Sequence, residues 1–172
     1  LGATVVDSDQ LARDVIERGT PGFDAVVSRF GDSVLKDGQI DRSLLAGIVF
    51  NDASARRDLE EIIHPAIRQS LDALVKSLPP DSIVINQIPL LVEMHGAERF
   101  DVVITVSAPM ELRRARLRER GLRESDIESR ITAQVDDAER ELIADYVIHN
   151  DGDRDSLMRK VEKIYEELEA RQ

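Results

Sequence analysis

Two groups of side chains in this sequence could do chemistry. The first is the pair of carboxylates in Ala3-Thr-Val-Val-Asp7-Ser-Asp9-Gln-Leu-Ala-Arg13, where a β-branched run stops on acids and turns into a helix. Thr4, Val5 and Val6 favour a buried strand, whereas Asp7, Ser8 and Asp9 favour the turn and N-cap that open the next helix. Acids at the carboxyl end of a strand in an open α/β sheet lie where ligands bind, because the loops there meet helix N-termini that favour anions. The same residues serve equally well as plain helix caps. The second group is Arg113, Arg114, Arg116, Arg118, Arg120 and Arg123, six guanidiniums crowded into one stretch of a chain whose formal net charge is −11. Guanidinium forks match phosphate oxygens bidentately, so an arginine-dense helix above a sheet edge can clamp polyphosphate. Salt bridges to Glu111, Glu119, Glu124 and Asp126 account for several of these arginines but not for all.

The elements that must position these groups can be read from apolar spacing. Leu11, Ala12, Val15 and Ile16 predict a helix from Asp9 to about Glu17, ended by Gly19-Thr-Pro21-Gly22. Phe23, Val26, Val27 and Phe30 give a second helix closed by Gly31, and Lys36-Asp37-Gly38-Gln39 reads as a tight turn. Asp41 caps a short buried helix of Leu44, Leu45, Ile48, Val49 and Phe50. Asn51-Asp52 caps a long one carrying Leu59, Ile62, Ile63, Ile67, Leu71 and Leu74. Residues 8–78 are thus expected to be helical throughout, with Pro65 kinking or restarting the long helix beside His64 and Arg68. A histidine in such a place is structural or, paired with an arginine one turn later, part of an anion site.

After Leu78-Pro-Pro-Asp81, the run Ser82–Asn86 is an apolar strand of the kind buried in a parallel sheet. It leads into Gln87-Ile-Pro-Leu-Leu-Val-Glu93, either a rigid loop lining a pocket or a plain connection. Asp101–Ser107 is the next strand, with Pro109 suited to the first position of a helix, and Arg130 and Gln134 lie one turn apart on the helix after that. Tyr146–His149 is the last strand. Asn150-Asp-Gly152-Asp153 then opens a terminal helix with Leu157, Val161, Ile164 and Leu168 on one face. Alternating strands and helices imply an α/β fold with a mainly parallel sheet.

Composition sets the class. The 172 residues suit one globular domain with a sizeable core. No apolar run approaches the roughly 18 residues of a membrane span and no leader-like segment is present, so the cytoplasm is the expected location. With no cysteine and three histidines, thiolate and His-rich metal sites are not expected. The acidic balance argues against nonspecific nucleic-acid binding, and 3% aromatics without tryptophan removes stacking platforms for single strands.

Read together, these segments resemble the dephospho-coenzyme A kinase family, a P-loop nucleoside-kinase-like fold. The resemblance rests on Val6-Asp-Ser-Asp9-Gln-Leu-Ala-Arg13, Gly19-Thr-Pro-Gly22, Gly38-Gln-Ile-Asp-Arg42, Ile63-His-Pro65, Ile88-Pro-Leu-Leu-Val-Glu93, Glu111-Leu-Arg113 with Arg116-Leu117, Arg130-Ile-Thr-Ala-Gln134 and Ala144-Asp-Tyr-Val-Ile-His-Asn150-Asp-Gly152. Each motif alone is weak. Eight in this order over the whole chain are specific.

The resemblance implies a single three-layer domain over 1–172, with a helical substrate-binding region at 8–78 and a helical lid at about 110–140. It implies transfer of the ATP γ-phosphoryl group to the ribose 3′-hydroxyl of dephospho-coenzyme A, with Mg²⁺. Asp9 would accept or orient the hydroxyl proton, and Arg116 would supply charge with Arg113 and Arg130 from the lid. Asp7, Arg13, His64, Arg68, Leu90 and Glu93 would line the dephospho-coenzyme A site, while Asn150 and Gly152 would sit near adenine. No residue is assigned as a protein ligand to a metal. Partners would be the two substrates, with neither nucleic acid nor membrane, and the protein a monomer or small homo-oligomer.

Two departures qualify the match. The family's Gly-rich Walker A loop ending in Lys-Ser/Thr has no counterpart here; its place would be before Leu1, and Leu1-Gly2 reads as a helix tail with its glycine cap, so an upstream strand and phosphate loop are expected. The family usually carries Asp where this chain has Gln87, and an amide cannot replace a carboxylate's charge near Mg²⁺. Both departures keep open a second expectation, a degenerate kinase that binds a coenzyme A-like ligand or a protein partner without turnover.

Overall fold

The computed structural model describes residues 1–171, which form two compact units, one spanning Gly2–Ile88 and the other running from Pro89 onward.

In the first unit, β1 (Thr4–Asp7) pairs in parallel with β4 (Val84–Gln87), placing Thr4 opposite Val84 and Asp7 opposite Gln87. Parallel neighbours need a long crossover, and here it is a helical layer: α1 (Ser8–Asp14), α2 (Pro21–Phe30), α3 (Arg42–Asn51) and α4 (Ala53–Ser77). Val15, Ile16, Val26, Val34 and Leu45 form the buried centre, and Leu59, Ile62, Ile63 and Ile67 of α4 pack against it. β1 is only half-buried, since period-two alternation turns Val5 outward at 66% exposure.

α1 ends three residues before Glu17, because Val15 and Ile16 leave the helix to enter the core. Thr20 and Gly22 explain how the chain turns back so sharply. The Thr20 hydroxyl donates to the Val15 carbonyl at 2.8 Å, and its oxygen accepts the Phe23 N–H at 3.1 Å as the N-cap of α2. A Cβ on Gly22 would lie 2.2 Å from the Val15 carbonyl oxygen, so only glycine lets the two segments approach this closely.

Residues 8–78 are not helical throughout. β2 (Leu35–Lys36) and β3 (Gln39–Ile40) form a small antiparallel hairpin. Asp37 and Gly38 between them have φ of 53° and 74°, the two positive values of a hairpin turn matched to strand twist. The expected buried helix over 44–50 is also only half right. Leu45, Ile48 and Val49 share one face by the i, i+3, i+4 rule, which leaves Phe50 89% exposed and Leu44 45% exposed. α4 runs its 25 residues through Pro65 without a restart.

In the second unit, β5 (Ile104–Ser107) pairs in parallel with β6 (Tyr146–His149), matching Ser107 to His149. Asp145 fixes the entry to this pair: its backbone N–H donates to the Val103 carbonyl at 2.8 Å and its carboxylate accepts the Val103 N–H at 2.8 Å. Between the strands lie α5 (Met110–Glu119), α6 (Glu124–Ala133) and α7 (Asp137–Leu142), and α8 (Arg154–Glu169) follows β6. Pro109 stands one position earlier than expected, as the N-cap of α5. Ile127 is wholly buried and anchors α6. Among the described residues no helix is long and apolar enough to cross a membrane.

Candidate active site

In the first unit the chemistry-bearing groups collect at the carboxyl end of the β1–β4 pair. Asp7 is the N-cap of α1, and its Oδ1 accepts the N–H of Asp9 at 2.9 Å and of Gln10 at 3.1 Å. Its cap role and a ligand role therefore compete for one carboxylate. Asp9, in the first turn of the helix, is exposed and its carboxylate has no hydrogen-bond partner among the described residues. That leaves its lone pairs for an incoming hydroxyl. Gln87 is the exposed strand-end partner of Asp7. Ser8 Oγ donates to Asn86 Oδ1 at 2.7 Å, tying the strand–helix junction to the neighbouring strand just below these groups.

The other expected binding residues of this unit are dispersed over its helices. Arg13, in the last turn of α1, is exposed and reaches Gln10 Oε1 only at 3.5 Å. His64 is half-buried and Arg68 exposed on α4, neither with a side-chain hydrogen bond among the described residues.

In the second unit the arginine cluster divides by partner. Arg114 donates to both oxygens of Glu128, at 2.5 and 3.2 Å, Arg118 pairs with Glu124, and Arg123 holds Asp126 at 3.0 and 3.3 Å. These are solvated ion pairs of modest energy. The Glu124 and Asp126 pairings agree with expectation. Glu111 and Glu119 hold no arginine among the described residues, and Glu128 takes that part.

Three arginines remain from the expected site. Arg113 Nη2 donates to Asp137 Oδ2 at 2.8 Å, and Arg140 shares the same carboxylate through Oδ1. One negative charge thus serves two guanidiniums, each with a buried Nε that lacks a partner among the described residues. Burial, then the neighbouring Arg113 charge, pushes the Arg140 guanidinium below its ordinary value, against the opposing pull of Glu93. Arg116 has no carboxylate partner among the described residues; Nη1 donates to the Asn150 carbonyl at 3.0 Å and Nη2 to Asn150 Oδ1 at 3.3 Å. Arg130, at the end of α6, is exposed and has no ion-pair partner among the described residues. The same is true of Arg120, the C-cap of α5.

Leu90 and Glu93 lie within the Ile88–Glu93 run, in the turn that follows β4. Leu90 is 38% exposed and its carbonyl accepts the Met94 N–H at 3.1 Å. Glu93 Oε1 accepts the Val135 N–H at 2.8 Å, so this carboxylate holds the α6–α7 connection. Gly152 sits in the loop between β6 and α8. Asp153 caps α8 by accepting the Ser156 N–H at 2.7 Å, and Lys160 Nζ reaches the His149 carbonyl at 2.6 Å and Asp151 at 3.2 Å. Lys160 holds the Asp151 carboxyl below its usual range. Sequence reasoning missed Arg140 and the engagement of Asn150. Arg140 lies in Asp-Asp-Ala-Glu-Arg, which reads as an ordinary solvated helix face.

Among the described residues no group of three or more His, Asp and Glu is arranged to hold a metal ion. Asp7, Asp9 and the Gln87 side-chain carbonyl are the oxygen donors at this strand end, of the type hard cations take.

Comparison with known proteins adds the chemistry. The family model described as dephospho-CoA kinase matches residues 1–156. The chain is 43% identical over 171 residues to the dephospho-CoA kinase of Frankia casuarinae, covering 99% of this chain and 75% of that protein. It is 40% identical to that of Mycolicibacterium paratuberculosis, covering 96% of this chain but 41% of that longer protein. A solved structure from Thermus thermophilus is similar with a TM-score of 0.84 at 31% identity, covering 97% of this chain and 85% of that one.

Proposed function

The chain belongs to the dephospho-CoA kinase family, and on that premise we propose that it transfers the γ-phosphoryl group of ATP to the ribose 3′-hydroxyl of dephospho-coenzyme A, giving coenzyme A and ADP. The observation that carries this reading is the family match across residues 1–156. It is an α/β kinase of the P-loop class, and the reaction is the last step of coenzyme A synthesis.

Phosphoryl transfer asks little covalent chemistry of a protein; it asks for an aligned nucleophile and stabilised charge. Asp9 is the group for the first task, since Asp7 Oδ1 is engaged in the helix cap while the Asp9 carboxylate has no hydrogen-bond partner among the described residues. It orients the 3′-hydroxyl and takes its proton as the oxygen bonds to the γ-phosphorus and the bond to the bridging oxygen of ADP breaks. Arg116 serves the second task, with Arg113 and Arg130 as further cations of a lid over about 110–140. Mg²⁺, when bound, neutralises charge on the phosphate oxygens, and Asp7, Asp9 and the Gln87 carbonyl are the residues that would hold its water shell. Arg13, His64 and Arg68 would supply positive charge or donors for the phosphates of dephospho-coenzyme A, and Leu90 and Glu93 are further candidates for contacting that substrate. Asn150 and Gly152 belong to the nucleotide side. The reading extends to a cytoplasmic protein, where ATP is supplied, acting as a monomer or small homo-oligomer.

Asp9→Asn tests the assignment. The variant should bind dephospho-coenzyme A as the parent does while kcat falls by about 10²–10⁴-fold, the usual worth of a positioned acid–base group. An Asp9→Asn enzyme with unchanged kcat would remove Asp9 from the chemistry.

A further inference from the structure

Arg116 differs from its neighbours on α5 in what holds it. Arg113, Arg114 and Arg118 each donate to a carboxylate, which fixes the guanidinium and cancels its charge at the same time. Arg116 is fixed as firmly in geometric terms, by two nitrogens on one residue, but both acceptors are neutral: the carbonyl oxygen of Asn150 at 3.0 Å and its side-chain Oδ1 at 3.3 Å. A neutral pair of acceptors sets the plane and direction of a guanidinium without compensating its charge. Asn150 is itself anchored, since its N–H donates to the Ser107 carbonyl at 2.7 Å where β5 ends. The two acceptors therefore hang from the paired ends of β5 and β6, and the strand pair determines where Arg116 points.

We infer that Asn150 is a positioning residue for phosphoryl transfer, using its side-chain oxygen to aim Arg116 while leaving that cation's charge for the phosphate oxygens. This rests on the proposed role of Arg116 in stabilising transferring charge, and it changes what Asn150 does: the side-chain oxygen is spent on an arginine and not on the nucleotide base. An aspartate at this position would keep the geometry but cancel the charge, so the choice of an amide has a chemical reason.

The test is a double-mutant cycle on the enzyme with ATP and dephospho-coenzyme A. Asn150→Ala should lower kcat by about tenfold, as expected for losing one of two hydrogen bonds to a charged group, while both KM values stay within about twofold and the melting temperature is unchanged. Asn150→Asp should lower kcat at least as much. In an Arg116→Ala background, Asn150→Ala should have no further effect, a non-additivity that a merely structural role does not produce. Additive losses, or an intact kcat in Asn150→Ala with a reduced preference for ATP over GTP, would overturn the inference. If Arg116→Ala alone leaves kcat unchanged, the proposed role of Arg116 falls and this inference falls with it. A large Arg116→Ala loss beside an unaffected Asn150→Ala enzyme overturns the inference alone.

Discussion

Gln87 stands opposite Asp7 in the parallel register of β4 and β1, each the last residue of its strand. A neutral amide thus occupies the place beside an acid whose Oδ1 already caps a helix. The local charge for a hard cation is therefore low, and on the proposed reading Mg²⁺ would take most of its affinity from the substrate phosphates.

Gln87→Asp should consequently lower the Mg²⁺ concentration needed for half-maximal rate and raise kcat. Without Mg²⁺ the added carboxylate repels Asp7 and Asp9, so the variant should melt at a lower temperature and recover when Mg²⁺ is added. Titrating Mg²⁺ against both rate and melting temperature checks this. A variant no better at any Mg²⁺ concentration, and not stabilised by the ion, would place Gln87 away from the metal.

Glu93 should matter for order in the segment it holds. Glu93→Ala leaves the Val135 N–H without its acceptor, at a cost of about 1–3 kcal/mol for a partly buried donor. Amide hydrogen exchange across α7 should quicken, and Glu93→Gln, which keeps an oxygen acceptor, should restore much of the protection. Identical exchange in parent and Glu93→Ala would show that this contact does not hold the α6–α7 connection.

How much of this was legible beforehand varies with the range of the interaction. Asp41 and Asp52 were readable as caps because a cap is a contact with the next two or three residues. The Asp37-Gly38 turn was legible too, yet its strands are two residues each, too short to carry an alternation signal. Phe50 misled because it extends an apolar run while helix geometry rotates it off the buried face. In the site, Asp7 and Asp9 stood out by their position after a β-branched run. The hold of Asn150 on Arg116 spans 34 residues of chain, and the sharing of Asp137 by Arg113 and Arg140 depends on how α5 and α7 pack. Neither leaves a periodic trace in the sequence.

Acid should weaken the first unit partly through Asp52. The Ser54 hydroxyl, followed by the N–H groups of Ala55 and Ser54, holds this carboxyl below its ordinary value of 3.8. A depressed folded pKa contributes stability that is fully present above the unfolded value and is lost as pH falls through the folded one. Asp52→Asn keeps an acceptor at the N-cap but does not titrate. The gap in melting temperature between parent and variant should therefore be constant above 3.8 and narrow below it. A gap that stays fixed into strong acid would mean that the Asp52 charge does not support α4.

The most direct measurement follows the phosphoryl group itself. The enzyme is incubated with ATP, Mg²⁺ and dephospho-coenzyme A, and the product is identified by mass and by the position of its new phosphate. Phosphotransfer to the ribose gives coenzyme A with a 3′-phosphate and an equal amount of ADP. Tight binding of dephospho-coenzyme A with no new phosphate, or ADP released without phosphorylated acceptor, would contradict it.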